Sequence, residues 1–103
     1  MIKVLISDEV SGRALQRFAL VKDLQVDYRP GLPAGELKQI IGEYTALVVR
    51  SQTKVTAEVI DAGTRLTVIG RAGTGVDNVD LEAATRRGIV VMNVPGGNTV
   101  SAA

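Results

Sequence analysis

The sequence predicts an α/β domain built on a parallel sheet with helices on both faces. Three observations carry this expectation: five short runs rich in branched apolar residues, helical stretches between them, and alternation of apolar with polar residues in only one of the five runs. Strands of a parallel sheet are covered on both faces and so read as continuous apolar runs, and strands alternating with helices form βαβ units. A chain of 103 residues is enough for a single hydrophobic core.

Taken in order, Ile2 to Ile6 is the first run, and polar Ser7, Asp8 and Glu9 close it. Val10, Ala14, Leu15 and Phe18 recur at helical spacing, with Arg13 and Arg17 turned outward. Leu24, Val26 and Tyr28 alternate with Gln25 and Asp27, the pattern of a strand with one wet face, which places it at an edge. Arg29 to Pro33 is turn chemistry, with Pro33 expected at the first position of the next helix. That helix carries Leu37, Ile40, Ile41 and Tyr44 as its apolar stripe. Ala46 to Val49 is the third strand and ends in Arg50 and Ser51, after which Thr56 caps a short helix carrying Val59 and Ile60. Leu66 to Ile69 is the fourth strand, expected to end at Gly70 and open into a loop holding Arg71, Gly73, Thr74 and Gly75. Asp80 is a natural N-cap for Leu81 to Arg87, Arg86 and Arg87 sit at the negative end of the helix dipole, and Gly88 takes the position after it. Ile89 to Met92 is the fifth strand. With Leu24 to Tyr28 at an edge, the expected strand order is 2-1-3-4-5, the flavodoxin-like arrangement. Right-handed crossovers then bring the ends of strands one, three, four and five to one rim, where Ser7 and Asp8, Arg50 and Ser51, Arg71 to Gly75, and Asn93 to Asn98 meet.

Twelve basic and eleven acidic residues leave a net charge of +1, so nucleic acid and anionic membranes are not expected partners and an anion has to be held by a local site. No apolar run approaches a membrane span, and the N-terminus enters a strand pattern without a signal-peptide layout, so a cytoplasmic location is expected. Zero cysteines exclude disulfides and thiolate metal sites, and zero histidines remove the commonest metal ligand and general base. The last residues, Asn98 to Ala103, start like a helix and hold one turn of it, so they are expected to be the truncated start of a longer helix.

Arg50, Ser51, Gln52, Thr53 and Lys54 follow directly on a buried strand, where a guanidinium and a hydroxyl can hold a phosphate or carboxylate through charge-assisted bonds. The plainer alternative is a solvated loop with ordinary surface charge. Gly73, Thr74 and Gly75 begin like a dinucleotide fingerprint, but the third glycine position holds Asn78 and no helix opens after Gly75. The two remaining readings are a tight turn and a nest of backbone N–H groups that binds a carboxylate. Asn93 to Asn98 leads from the fifth strand to a helix N-terminus, either a plain connector or an anion-friendly end. Asp8 and Glu9 resemble the acidic pair with which receiver domains hold magnesium, but Arg50 stands where the phosphoacceptor aspartate belongs and no lysine ends strand five.

Three segments carry a more specific resemblance: Val48 to Val55, the long run from Gly70 to Asn93, and Pro95 to Thr99. On these the chain resembles the D-isomer-specific 2-hydroxyacid dehydrogenases over essentially its whole length. The pairing of Arg50, Ser51, Thr53 and Lys54 with the arginine-led glycine loop looks more like the members acting on a phosphorylated acid than like glyoxylate, lactate or formate dehydrogenases. The resemblance implies an NAD-dependent oxidoreductase whose substrate is a small phosphorylated hydroxy or keto acid, at the entry to serine biosynthesis, in a parent that is a homo-oligomer. It implies that residues 1–98 are the first segment of a substrate-binding domain and that 99–103 begin the crossover helix to a separate NAD-binding domain. Arg50, Ser51 and Asn98 would contact the phosphorylated substrate, Arg71 would add positive potential, Gly73 would bind the carboxylate through backbone N–H groups, and Thr74 would touch the nicotinamide end of NAD. The family's catalytic histidine, glutamate and arginine lie beyond residue 103, so the chain alone is expected to be inactive. The alternatives are another dehydrogenase of the glyoxylate or hydroxypyruvate reductase type, or a non-enzymatic flavodoxin-like module that binds anions.

Overall fold

The computed structural model describes residues 2–9, 12, 16, 20, 23–50, 53–72 and 78–94. Five strands, β1 (Ile2–Ile6), β2 (Leu24–Tyr28), β3 (Ala46–Val49), β4 (Val68–Ala72) and β5 (Val90–Val94), form one sheet in the order β2-β1-β3-β4-β5. Every pairing is parallel. Three helices are described: α1 (Ala34–Ile40), α2 (Ala57–Ala62) and α3 (Leu81–Arg86). The expected order and the edge position of Leu24–Tyr28 are as read from the sequence. The helix expected over residues 10–18 lies outside the described residues except for Gly12 and Gln16, both helical.

The connections from β2 to β3, β3 to β4 and β4 to β5 all run the same way across the sheet, so right-handed crossovers put α1, α2 and α3 on one face. There Leu5, Leu47, Val49 and Ile69 pack with Leu37, Ile41, Val59, Ile60, Ala83 and Ala84 to form the core. Gly42, just after α1, lets the chain lie close against α2, since a Cβ at that position would stand 3.1 Å from the Ala62 carbonyl and push it back by a few tenths of an ångström. At the same point the helix expected to run through Tyr44 tightens into a 3₁₀ turn, Ile41–Glu43, and Tyr44 leaves it in an extended conformation with its ring still buried.

Local signals set the helix ends. The Thr56 hydroxyl accepts from the Val59 N–H at 3.4 Å, and the Asp80 carboxylate accepts from the Ala83 N–H at 3.0 Å. Gly88 has φ +72°, the left-handed stop that glycine supplies without steric cost. Pro33 sits one position earlier than expected, at the N-cap, with its carbonyl accepting from the Leu37 N–H at 3.0 Å.

Two strand boundaries differ from expectation, and the first matters for function. β4 begins at Val68, not Leu66, and runs through Gly70 to Ala72 because Val48 and Val49 of the neighbouring strand pair with Gly70 and Arg71. Arg71 is therefore a strand residue, not a loop residue. β5 is displaced in the same sense, since Val68 pairs with Val90 and Arg71 with Asn93.

Candidate functional site

The carboxyl ends of β1, β3 and β4 form the rim at which an open parallel sheet presents its ligand crevice. Arg71 is the last core-facing position of β4, on the same sheet face as Ile69 and opposite Val49, and it is 8% exposed. A guanidinium at that depth needs hydrogen-bond partners, because an unpaired buried charge is costly. Its Nε donates to Asn78 Oδ1 at 2.6 Å.

The segment after β3 is held from two sides. From β1, the buried Asp8 carboxylate accepts from the Arg50 N–H at 2.7 Å, the Thr53 N–H at 2.9 Å and the Thr53 hydroxyl at 2.5 Å. Ser7 Oγ lies 3.0 Å from the same Thr53 hydroxyl. From the β4 side, the Asn78 amide donates to the Arg50 carbonyl at 2.5 Å and to the Thr53 carbonyl at 2.7 Å. Both backbone polar groups of Arg50 are thus engaged. Its guanidinium extends from this pinned backbone into an exposed position, where Nη1 donates to the Glu9 carbonyl at 3.2 Å.

A short parallel bridge between Val55 and Val79 ties the two loops together again: the Val55 N–H donates to the Asn78 carbonyl at 2.8 Å and the Asp80 N–H to the Val55 carbonyl at 2.9 Å. The arrangement fixes two arginines at one rim, one buried and one exposed, which suits an anion bearing more than one charged group.

Of the site residues expected from the sequence, Arg50 and Arg71 are brought together through Asn78, and Ser7 and Asp8 join them as expected of the rim. Ser51, Gly73, Thr74 and Asn98 lie outside the described residues. Asp8 has a structural part in place of the metal-holding one weighed for it, since its oxygens are taken up by the segment after β3. Among the described residues no group of three or more His, Cys, Asp or Glu is placed to hold a metal. Asn78 and Thr53, which the sequence shows as the residue breaking the fingerprint and as part of the motif after the third strand, carry no site role in the sequence reading; for Asn78 the available signal is a polar side chain standing where a fingerprint would have glycine. The N-terminus of α3 is occupied by the Asp80 carboxylate, so this strand-to-helix connection does not fit a dinucleotide pyrophosphate.

The chain is thus a parallel α/β domain with two arginines at the carboxyl rim of its sheet, joined through Asn78. Residues 4–103 match the family model described as D-isomer specific 2-hydroxyacid dehydrogenase, catalytic domain, and the chain belongs to this family. It is 51% identical to D-3-phosphoglycerate dehydrogenase of Archaeoglobus fulgidus over 99% of its own length, and 54% identical to that of Homo sapiens over 98%. The chain spans 19% of the length of each of these two relatives. Its fold superimposes with a TM-score of 0.81 and 28% identity on NAD+-bound 3-phosphoglycerate dehydrogenase of Entamoeba histolytica, covering 89% of this chain and 32% of that one. No described helix is long and apolar enough to cross a membrane.

Proposed function

We propose that the chain is the leading part of the substrate-binding domain of an NAD-dependent D-3-phosphoglycerate dehydrogenase, which oxidises 3-phosphoglycerate to 3-phosphohydroxypyruvate on the route to serine. The observation that supports this most is the joining of Arg50 and Arg71 by one amide at the carboxyl rim, in a chain about half identical to relatives bearing that name. Arg50, with Ser51 and Asn98, contacts the phosphorylated acid; Arg71 contributes positive potential from the end of β4; and the backbone N–H groups around Gly73 take the carboxylate. Thr74 reaches the nicotinamide end of NAD. The dinucleotide supplies hydride acceptance when bound, and its phosphates belong to a second domain. Within this chain the work is binding and orientation. The proton-transferring histidine and its partners belong to the rest of a parent that is cytoplasmic and homo-oligomeric, so the 103 residues alone show no turnover.

The test is Arg50→Ala in the full-length parent. Losing a charge-assisted contact costs about 1.5 to 3 kcal/mol, roughly 10- to 150-fold in KM for 3-phosphoglycerate. KM for NAD stays close to its original value. Equal effects on both ligands would place Arg50 outside the substrate site, and turnover of glyoxylate or hydroxypyruvate in preference to the phosphorylated acid would point to the reductase type instead.

A further inference from the structure

We propose that Asn78 is a positioning residue that fixes Arg50 and Arg71 relative to each other and so sets the geometry of the anion site. The inference rests on the reading of those two arginines as substrate-binding cations.

The Asn78 side chain has one acceptor facing Arg71 and two donors facing backbone carbonyls. Its Oδ1 accepts from Arg71 Nε at 2.6 Å, while Nδ2 donates to the carbonyls of Arg50 at 2.5 Å and Thr53 at 2.7 Å. Only one orientation of the amide satisfies this set, because a guanidinium only donates and a carbonyl only accepts; turning the amide over would set oxygen against two oxygens and N–H against N–H. A bond at Nε fixes the rotation of the guanidinium plane, which decides whether its edge meets a carboxylate or phosphate squarely. The same side chain holds the carbonyl of Arg50, whose N–H is held by Asp8. One amide therefore bonds both to the buried cation and to the backbone from which the exposed one extends.

The attachment of the two loops does not depend on this side chain. Val55 and Val79 are bridged by backbone hydrogen bonds, and Asp8 keeps Thr53 and the Arg50 N–H in place. Asn78 is also only half-buried, so truncating it opens no large cavity. What truncation removes is the link that sets the two cations relative to each other, and small displacements at a binding site are amplified in affinity.

The experiment measures steady-state kinetics of the full-length parent carrying Asn78→Ala, Asn78→Asp, Arg71→Ala, Arg50→Ala, and the double variant Asn78→Ala with Arg71→Ala. Asn78→Ala is expected to raise KM for 3-phosphoglycerate about tenfold, the equivalent of one well-made hydrogen bond, with kcat reduced less and KM for NAD unchanged. Asn78→Asp keeps an acceptor for Arg71 but sets a carboxylate oxygen against the Arg50 and Thr53 carbonyls, so it also raises KM for 3-phosphoglycerate; it is isosteric and decides the matter should the alanine variant fail to fold. In the Arg71→Ala background Asn78→Ala adds less than its full effect, because it acts through that arginine. Fully multiplicative effects, or equal rises in KM for both ligands, would overturn the positioning role. So would a normal KM in both Asn78 variants while the arginine variants are impaired, an outcome that leaves the substrate-site reading standing. Unimpaired Arg50→Ala and Arg71→Ala proteins would instead remove that reading and this inference with it.

Discussion

The phenol of Tyr44 lies against the edge strand, 6% exposed, and donates to Asp27 Oδ2 at 2.5 Å while the Lys3 ammonium sits 5.1 Å from the ring centroid. Burial, reinforced by the hydrogen bond to Asp27, pushes its pKa from 10.0 up to about 12. A raised pKa in the folded state means that this group's contribution to stability is fully present below pH 10, falls as the unfolded phenol ionises first, and is gone once the folded one ionises near pH 12. Stability should therefore decline between about pH 10 and 12, and the decline should be shallower in Tyr44→Phe. Chemical denaturation at a series of alkaline pH values checks this; identical slopes in the two proteins would refute it. The same residue illustrates how little of a side chain's fate is local. Its spacing from Leu37 reads as the end of a helical stripe, yet it sits beyond the helix and meets a strand seventeen positions earlier in the chain.

Adjacent arginines at the end of α3 have different duties, although helix-dipole reasoning treats them alike. Arg86 makes an exposed i, i+4 pair with Glu82 at 4.0 Å, an interaction worth a few tenths of a kcal/mol. Arg87 reaches across to α2, where Nη1 donates to the Ile60 carbonyl at 2.8 Å and Nη2 to the Gly63 carbonyl at 3.3 Å, a second donor for carbonyls that also accept from the Gly63 and Leu66 N–H groups. Arg87→Ala should cost about 1 to 2 kcal/mol, reduced from the value of a buried charged bond because the side chain is partly exposed. Arg86→Ala should stay within about 0.5 kcal/mol. Urea denaturation of the two variants checks the contrast, and equal losses would mean that Arg87 acts only through its own helix.

Across the whole molecule, the sheet face opposite α1 to α3 carries two apolar rows that run through all five strands: Val26, Val4, Ala46, Val68 and Val90, then Tyr28, Ile6, Val48, Gly70 and Met92. Their inner members on β1 are buried, whereas Val90 is 56% and Met92 50% exposed at the β5 end. A contiguous apolar strip of this kind attracts apolar ligands. The 103-residue chain is expected to bind an apolar fluorescent dye, and Val90→Thr with Met92→Thr should reduce that binding while moving stability by only about 0.5 kcal/mol per site, since both positions are exposed and threonine suits a strand. Unchanged dye fluorescence would place the binding elsewhere. From the sequence alone came the α/β class, the strand order, the edge strand, the caps at Thr56 and Asp80, the stop at Gly88 and the meeting of Arg50 and Arg71 at one rim, because periodicity, capping and turn chemistry act over a few residues and leave a local trace. The tertiary structure decided that β4 runs on through Arg71, because the hydrogen bonds extending it come from Val48 and Val49. It also decided that Asp8 anchors Arg50 and Thr53 across 42 and 45 positions, and that Asn78 joins both arginines. Such partners meet only when separate strands end at one rim, and no local pattern in the chain records which polar side chain will be waiting there.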